Sequence, residues 1–191
     1  MSPQVVSIYN HPDNQDFTEI NSNGIKIWIN SAGQYHREGD KPAFIHPDGT
    51  VEYWKEGKRH RKGDKPAIIY PGGTVSYWKE GKCHRDGDKP AYINYNGTIE
   101  YYKEGKLHRE GDNSQSKPAF IKPNGLVEYW ENGKHIRTGN ASPEDEEDRK
   151  LSVHESKFWI ESLEYFKEEK NKTEKVRVKL YSQDFYLGLE I

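Results

Sequence analysis

The chain has 191 residues, 31% of them charged and 32% hydrophobic, and a formal net charge of −2. Leu, Ile, Val and Phe number only 35, a share usually linked to disorder, yet 13 Tyr and 5 Trp lift aromatics to 13%. This excludes a membrane-spanning helix, argues against one compact aliphatic core, and leaves a thin, aromatic-rich folded structure.

The predicted elements begin with an N-terminal segment or cap, residues 1–23, in which Val5, Val6, Ile8 and Tyr9 read as a short strand and 13–19 as a loop. Residues 24–139 are an array of about five units. Tyr53-Trp54-Lys55-Glu56-Gly57-Lys58 returns at Tyr77 and at Tyr101 with a period of 24, and at Tyr129 after 28, because Asn113-Ser114-Gln115-Ser116 is inserted. Between these blocks runs His-Arg-x-Gly-Asp-Lys-Pro-Ala, from His36, His60 and His84, with a fourth copy from His108 that the insertion interrupts. A weaker first unit holds Ile25-Lys26-Ile27-Trp28.

Turn chemistry divides each unit. Pro47-Asp48-Gly49, Pro71-Gly72-Gly73, Asn96-Gly97 and Pro123-Asn124-Gly125 supply turns with positive-φ glycines. Asn132-Gly133 and Glu56-Gly57 fit a two-residue hairpin turn, which pairs Lys55 with Lys58, Tyr53 with His60 and Glu52 with Arg61. Alternation then puts Val51, Tyr53 and His60 on one face and Glu52, Trp54, Arg59 and Arg61 on the other. Ala43, Ala67, Ala91 and Ala119 fall in register, as do Ile45, Ile69, Ile93 and Ile121. The expected fold is mainly β: an elongated antiparallel sheet of stacked hairpins, two long strands per unit, with a C-terminal helix and short strands as a cap. Such units bury their apolar faces only against neighbours, so few aliphatic residues suffice.

Composition shifts at Asn140. Residues 140–151 read as an acidic linker or helix start, and 152–191 as a helix-plus-strand module. Ser152-x-x-Glu155 resembles a capping box, followed by Phe158, Trp159, Leu163 and Phe166 at helical spacing through about residue 170. Val176, Val178 and Leu180 alternate as in a strand, and the tail 185–191 reads as another. The net charge divides into +4 for 33–142 and −4 for 143–191.

Trp54-Lys55-Glu56-Gly57-Lys58-Arg59-His60 with Pro47-Asp48-Gly49 upstream, and Trp130-Glu131-Asn132-Gly133-Lys134, resemble the MORN repeat family. Arg61 stands where that family places Gly, and the added Gly-Asp-Lys-Pro-Ala resembles a divergent subtype in proteins of large DNA viruses. The resemblance implies scaffolding, dimerisation and in some members association with anionic lipid; it carries over no catalytic residues.

The recurrent residues carry the functional expectations. His36, His60, His84 and His108 occur one per unit, about 10 Å apart, too far to share a zinc ion, so they read as packing and hydrogen-bonding groups. Arg37, Arg61, Arg85, Arg109 and Arg137 form a ladder expected to pair across strands with Glu52, Glu100 and Glu128; Arg85, opposite Ser76, is expected to be the one most open to a ligand. Trp54, Trp78, Tyr102 and Trp130, with Lys55, Lys79 and Lys103 beside them, make an aromatic and basic stripe suited to a partner surface, to which Trp159 is added. Cys83 takes the place of Arg59, a variable surface position, and cannot form an intrachain disulfide.

No catalytic constellation, metal site or cofactor motif emerges. The expected function is non-enzymatic: a protein-interaction scaffold that binds another protein or a second copy of itself. The alternative is a peripheral binder of anionic lipid headgroups through Lys55, Lys79, Lys103 and the Arg ladder. Nucleic acid is disfavoured because the charge is interspersed. With no basic-apolar leader at its start, the chain is expected to be non-secreted and cytoplasmic, or part of a virion.

Overall fold

A computed structural model describes residues 8–10, 17–20, 24–111 and 116–160. The entry to the array is a meander: β1 (Ile8–Asn10), β2 (Phe17–Ile20) and β3 (Lys26–Ile29) pair in succession, antiparallel. β2 thus occupies residues read as a loop in the sequence.

Each of the next three units carries four two-residue strands in two hairpins, rather than two long strands. The second unit has β4 (Phe44–Ile45), β5 (Val51–Glu52), β6 (Trp54–Lys55) and β7 (Lys58–Arg59). The third has β8 (Ile68–Ile69), β9 (Val75–Ser76), β10 (Trp78–Lys79) and β11 (Lys82–Cys83). The fourth has β12 (Tyr92–Ile93), β13 (Ile99–Glu100), β14 (Tyr102–Lys103) and β15 (Lys106–Leu107), and the last has β16 (Phe120–Ile121) with the longer β17 (Leu126–Glu131) and β18 (Lys134–Asn140). The first hairpin of every unit joins a sheet of 12 described strands, while β6–β7, β10–β11 and β14–β15 stand apart as two-stranded ribbons.

The break falls at the repeated tyrosine. Tyr53 donates its N–H to Ala67 of the following unit and accepts from the His60 N–H, so its backbone is shared between sheet and ribbon. Tyr77 and Tyr101 do the same with Ala91 and His84, and with Ala119 and His108. Trp28 holds this place in the first unit, bonded to Ala43 and His36. The ribbon turns have both central residues at positive φ, 49° at Glu56 and 78° at Gly57, as a two-residue hairpin requires. Lys55 pairs with Lys58 as expected from the sequence.

The core is one row across the sheet. Val51, Ile69, Val75, Ile93, Ile99, Ile121 and Val127 are successive cross-strand partners. All of them are buried, and the alanines in register beside them are fully so. Each such side chain contributes about 1.5–3 kcal/mol by leaving water.

The row is covered by a helix, α1, spanning 143–160 among the described residues. It begins about nine residues before the predicted capping box, within the stretch read as an acidic linker or helix start, and that stretch forms its first turns. Ser142 caps it: the Asp145 N–H donates to Ser142 Oγ at 3.2 Å, and the Ser142 N–H donates to Asp145 Oδ2 at 2.9 Å. Pro143 takes the first helical position and Glu144, Asp145 and Glu146 sit in the first turn, where carboxylates are favoured. Ser152, predicted as the cap, lies mid-helix with its hydroxyl on the Asp148 carbonyl. Leu163, Phe166, the 176–180 alternation and the tail 185–191 lie outside the described residues.

Candidate interaction faces

The aromatic stripe lies on the ribbon side of the sheet, and each polar tip is tied to the residue two positions earlier. Trp54 Nε1 donates to Glu52, Trp78 Nε1 to Ser76, Tyr102 Oη to Glu100 and Trp130 Nε1 to Glu128, at 2.8–3.1 Å. The four rings are half-buried. The guanidinium of Arg59 sits between two of them, 5.0 Å from the Trp54 ring centre and 5.1 Å from that of Trp78. Tyr35 and Phe44 extend the stripe at one end through contacts with Trp54, and His135 meets Trp130 edge-on at the other. Cys83 holds Arg59's place but is partly buried rather than a surface position, and burial pushes its thiol up to about 12. It is therefore a poor nucleophile.

The arginine ladder lies elsewhere than expected. Beyond His60 the chain has left the ribbon, and Arg61 turns to the tyrosine side, its guanidinium 3.6 Å from the Tyr53 ring centre. Arg85 and Arg109 stack likewise on Tyr77 and Tyr101. Their partners are Asp40, Asp64 and Asp88, each from the preceding unit, and not the cross-strand glutamates. Lys65, Lys89 and Lys117 reach the same three carboxylates. Arg85 and Lys89 hold the Asp64 carboxyl down at about 2. Glu52 instead serves Trp54, Arg59 and His46. The signal was present in the sequence: Asp recurs in every His-Arg-x-Gly-Asp copy, whereas Glu52's place is Ser76 one unit later.

The histidines latch one unit to the next. Nδ1 of His36, His60, His84 and His108 accepts the backbone N–H of Glu56, Glu80, Glu104 and Asn132, at 3.1–3.3 Å. Beside each latch, the turn glycine donates to a carbonyl of the previous unit, as Gly81 does to Arg59. The hydrogen-bonding role expected of these residues is what the geometry shows. Ile136, in the fifth place, has no such acceptor, and the repeat ends there.

α1 runs back along the row and meets the ladder. Asp148 Oδ2 accepts from Arg109 Nη2 at 2.7 Å, and Glu155 accepts from Arg85 Nη2 at 2.7 Å and from Tyr77 Oη at 3.1 Å. These carboxylates are seven residues apart, about 10.5 Å of helix, close to the about 9.6 Å of two strand spacings. Arg85 is consequently not the open member of the ladder: its side chain is 2% exposed, clamped between Asp64 and Glu155. Trp159 packs inward, 5.3 Å from the Arg61 guanidinium and against the core, so it serves the fold and not an outer surface. Its neighbour Phe158, predicted on the same side, is 61% exposed. Among the described residues, Arg109 Nη1 has no hydrogen-bond partner. Its counterparts in Arg37, Arg61 and Arg85 donate to Pro42, Pro66 and Pro90 carbonyls, and the inserted residues precede the equivalent Pro118.

Along the loop edge, successive His-Arg-x-Gly-Asp segments enclose three equivalent clefts of about 340, 480 and 310 Å³. Among the described residues, no three His, Cys, Asp or Glu side chains converge as metal ligands, and no helix is long and apolar enough to cross a membrane. No family model and no curated protein matches the chain.

Proposed function

We propose that the chain is a MORN-like interaction scaffold whose partner, another protein or a second copy, docks on the stripe of Trp54, Trp78, Tyr102 and Trp130. One observation carries this reading: every ring in the stripe has its polar tip bonded within its own unit. The rings are thereby fixed in orientation, and a partner covering them orders little and strands no indole N–H. Arg59, stacked between Trp54 and Trp78, extends the flat surface and retains donors for a partner's carbonyls.

The alternative, anionic lipid, draws less support from the lysines beside the stripe. Lys79 is paired with Asp86 and Lys103 with Glu110, which spends most of their charge within the chain.

A photo-cross-linking residue in place of Arg59, compared with one in place of the helix-surface Lys150, tests the scaffold reading in native extract and with purified chain. Adducts specific to position 59, lost on Trp78→Ala with the fold retained, are the expected result. Equal capture at both positions, or none, overturns it.

A further inference from the structure

The three loop-edge clefts are built from the same motif and differ in charge in one column. The third residue of His-Arg-x-Gly-Asp is Glu38, Lys62, Asp86 and Glu110 in successive units. In the third and fourth units the acidic residue neutralises a lysine of the ribbon seven residues earlier: Asp86 binds Lys79 at 2.9 Å, and Glu110 binds Lys103. Lys62 reverses that charge. Its ribbon lysine, Lys55, is left without an ion pair, as are Lys62 itself and Lys41, among the described residues.

These three lysines line one cleft, of about 340 Å³, with Trp54 and His60 in its wall. Both carboxylates that also line it are engaged: Asp40 by Arg61 and Lys65, and Glu38 by His36. The cleft therefore gathers six Lys and Arg side chains against two carboxylates, with three ammonium groups uncommitted. The neighbouring cleft, of about 480 Å³, shares Lys62, but its Lys79, Arg85 and Lys89 are all bound to carboxylates. Ammonium groups that border one cleft without a protein counter-ion favour a multivalent anion, and Lys supplies point charges to phosphoryl oxygens.

We propose that the cleft of Lys41, Lys55 and Lys62 is a binding site for phosphoryl groups, created by the replacement of an acidic residue with Lys62 in one repeat. The site borders the aromatic docking surface at Trp54, but the proposal does not rest on that surface. Its ligand is a diphosphate or a phosphomonoester cluster, carried either on a soluble molecule or on a lipid headgroup.

The repeats supply their own control variants. Lys62→Glu copies Glu38 and Glu110 and returns a partner to Lys55 without asking the fold for anything new. Lys150→Glu makes the same charge change on the far surface of α1. Inorganic pyrophosphate is titrated calorimetrically into the full chain at physiological salt. One site is expected for the unaltered chain, weakened at least tenfold by Lys62→Glu and unaffected by Lys150→Glu. Absence of binding to the unaltered chain overturns the proposal, as does an equal loss from Lys62→Glu and Lys150→Glu. Sedimentation with phosphatidylcholine vesicles, with and without a phosphoinositide bisphosphate, then assigns the source. Vesicle binding abolished by Lys62→Glu identifies a headgroup, and pyrophosphate binding without vesicle binding identifies a soluble phosphate; either supports the site.

Discussion

The two ends of the same apolar row behave differently. In the third to fifth units Ile69, Ile93, Ile99, Ile121 and Val127 are buried almost completely, whereas at the other end Ile45 and its cross-strand partner Lys26 are only half-buried. The repeat sequence and strand pairing are nearly the same at both ends; what differs is α1, whose described residues reach back as far as Trp159 beside Arg61. Hairpin stacking alone therefore registers the row, and the helix dries it. The ladder shows the same gradient: Arg85 and Arg109 each receive a carboxylate from α1, and Arg61 receives an indole ring.

The largest effect that should separate the ends is a cavity in the row. Ile93→Ala is expected to cost about 2–5 kcal/mol, because sheet and helix enclose the site and it cannot collapse. Ile45→Ala should cost clearly less, since water already reaches the position. Urea unfolding of both variants measures the difference; equal losses would mean that α1 does not stabilise the row. Next in size, Arg85→Ala leaves Asp64 and Glu155 without their shared cation. A cost of about 2 kcal/mol is expected, below the about 3–5 kcal/mol of a fully buried pair because both carboxylates keep partial contact with water. Arg61→Ala, which frees Asp40 but no helix carboxylate, should cost less. Smaller again, Ser142→Ala removes the α1 cap for about 1 kcal/mol. Amide exchange should quicken in the first turn of α1 and over Val127, and stay unchanged at Val51.

Most of the sheet was legible because its rules are local and repeated. Ala43, Ala67, Ala91 and Ala119, the Ile positions, and the Glu56-Gly57 turn each state one geometric fact several times. The errors share a physical cause. Arg61 was placed opposite Glu52 by continuing strand alternation past His60, but the ribbon has ended there, and a guanidinium that leaves a ladder takes whatever carboxylate the next layer offers. That carboxylate, Asp40, lies 21 residues away and belongs to another unit. The sequence leaves two alternatives at the start of α1, linker or helix start, because Ser142-x-x-Asp145 sits within an acidic run and uses Asp where the familiar box has Glu, while Ser152-x-x-Glu155 imitates it inside the helix. Arg85 and Trp159 were assigned outward for a related reason: nothing in the hairpin pattern says that a helix will lie on that side. Lys62 was visible as the odd member of its column, but its meaning depends on the pairing of Lys79 and Lys103 in its sister units.

The smallest and most discriminating contrast concerns acid. Asp64 titrates at about 2 in the folded chain, against about 3.9 for an unfolded aspartate. A group depressed on folding binds fewer protons in the native state, so it contributes stability above about pH 4, and that contribution is lost as pH falls through about 2. Asp40 is also lowered, with burial opposing the hydrogen bonds from Arg61 and Lys65. The two ladders are alike except that Arg85 is also held by Glu155, which fixes its guanidinium against Asp64. Asp64→Asn should therefore flatten the loss of stability between pH 4 and pH 2 more than Asp40→Asn does, with little difference between the variants in their slopes from pH 6 to pH 8. Urea midpoints measured across that range read the slopes directly. If Asp40→Asn flattened the profile as much as Asp64→Asn, the helix would have no part in holding the ladder. The gradient along the array would then belong to the repeats themselves.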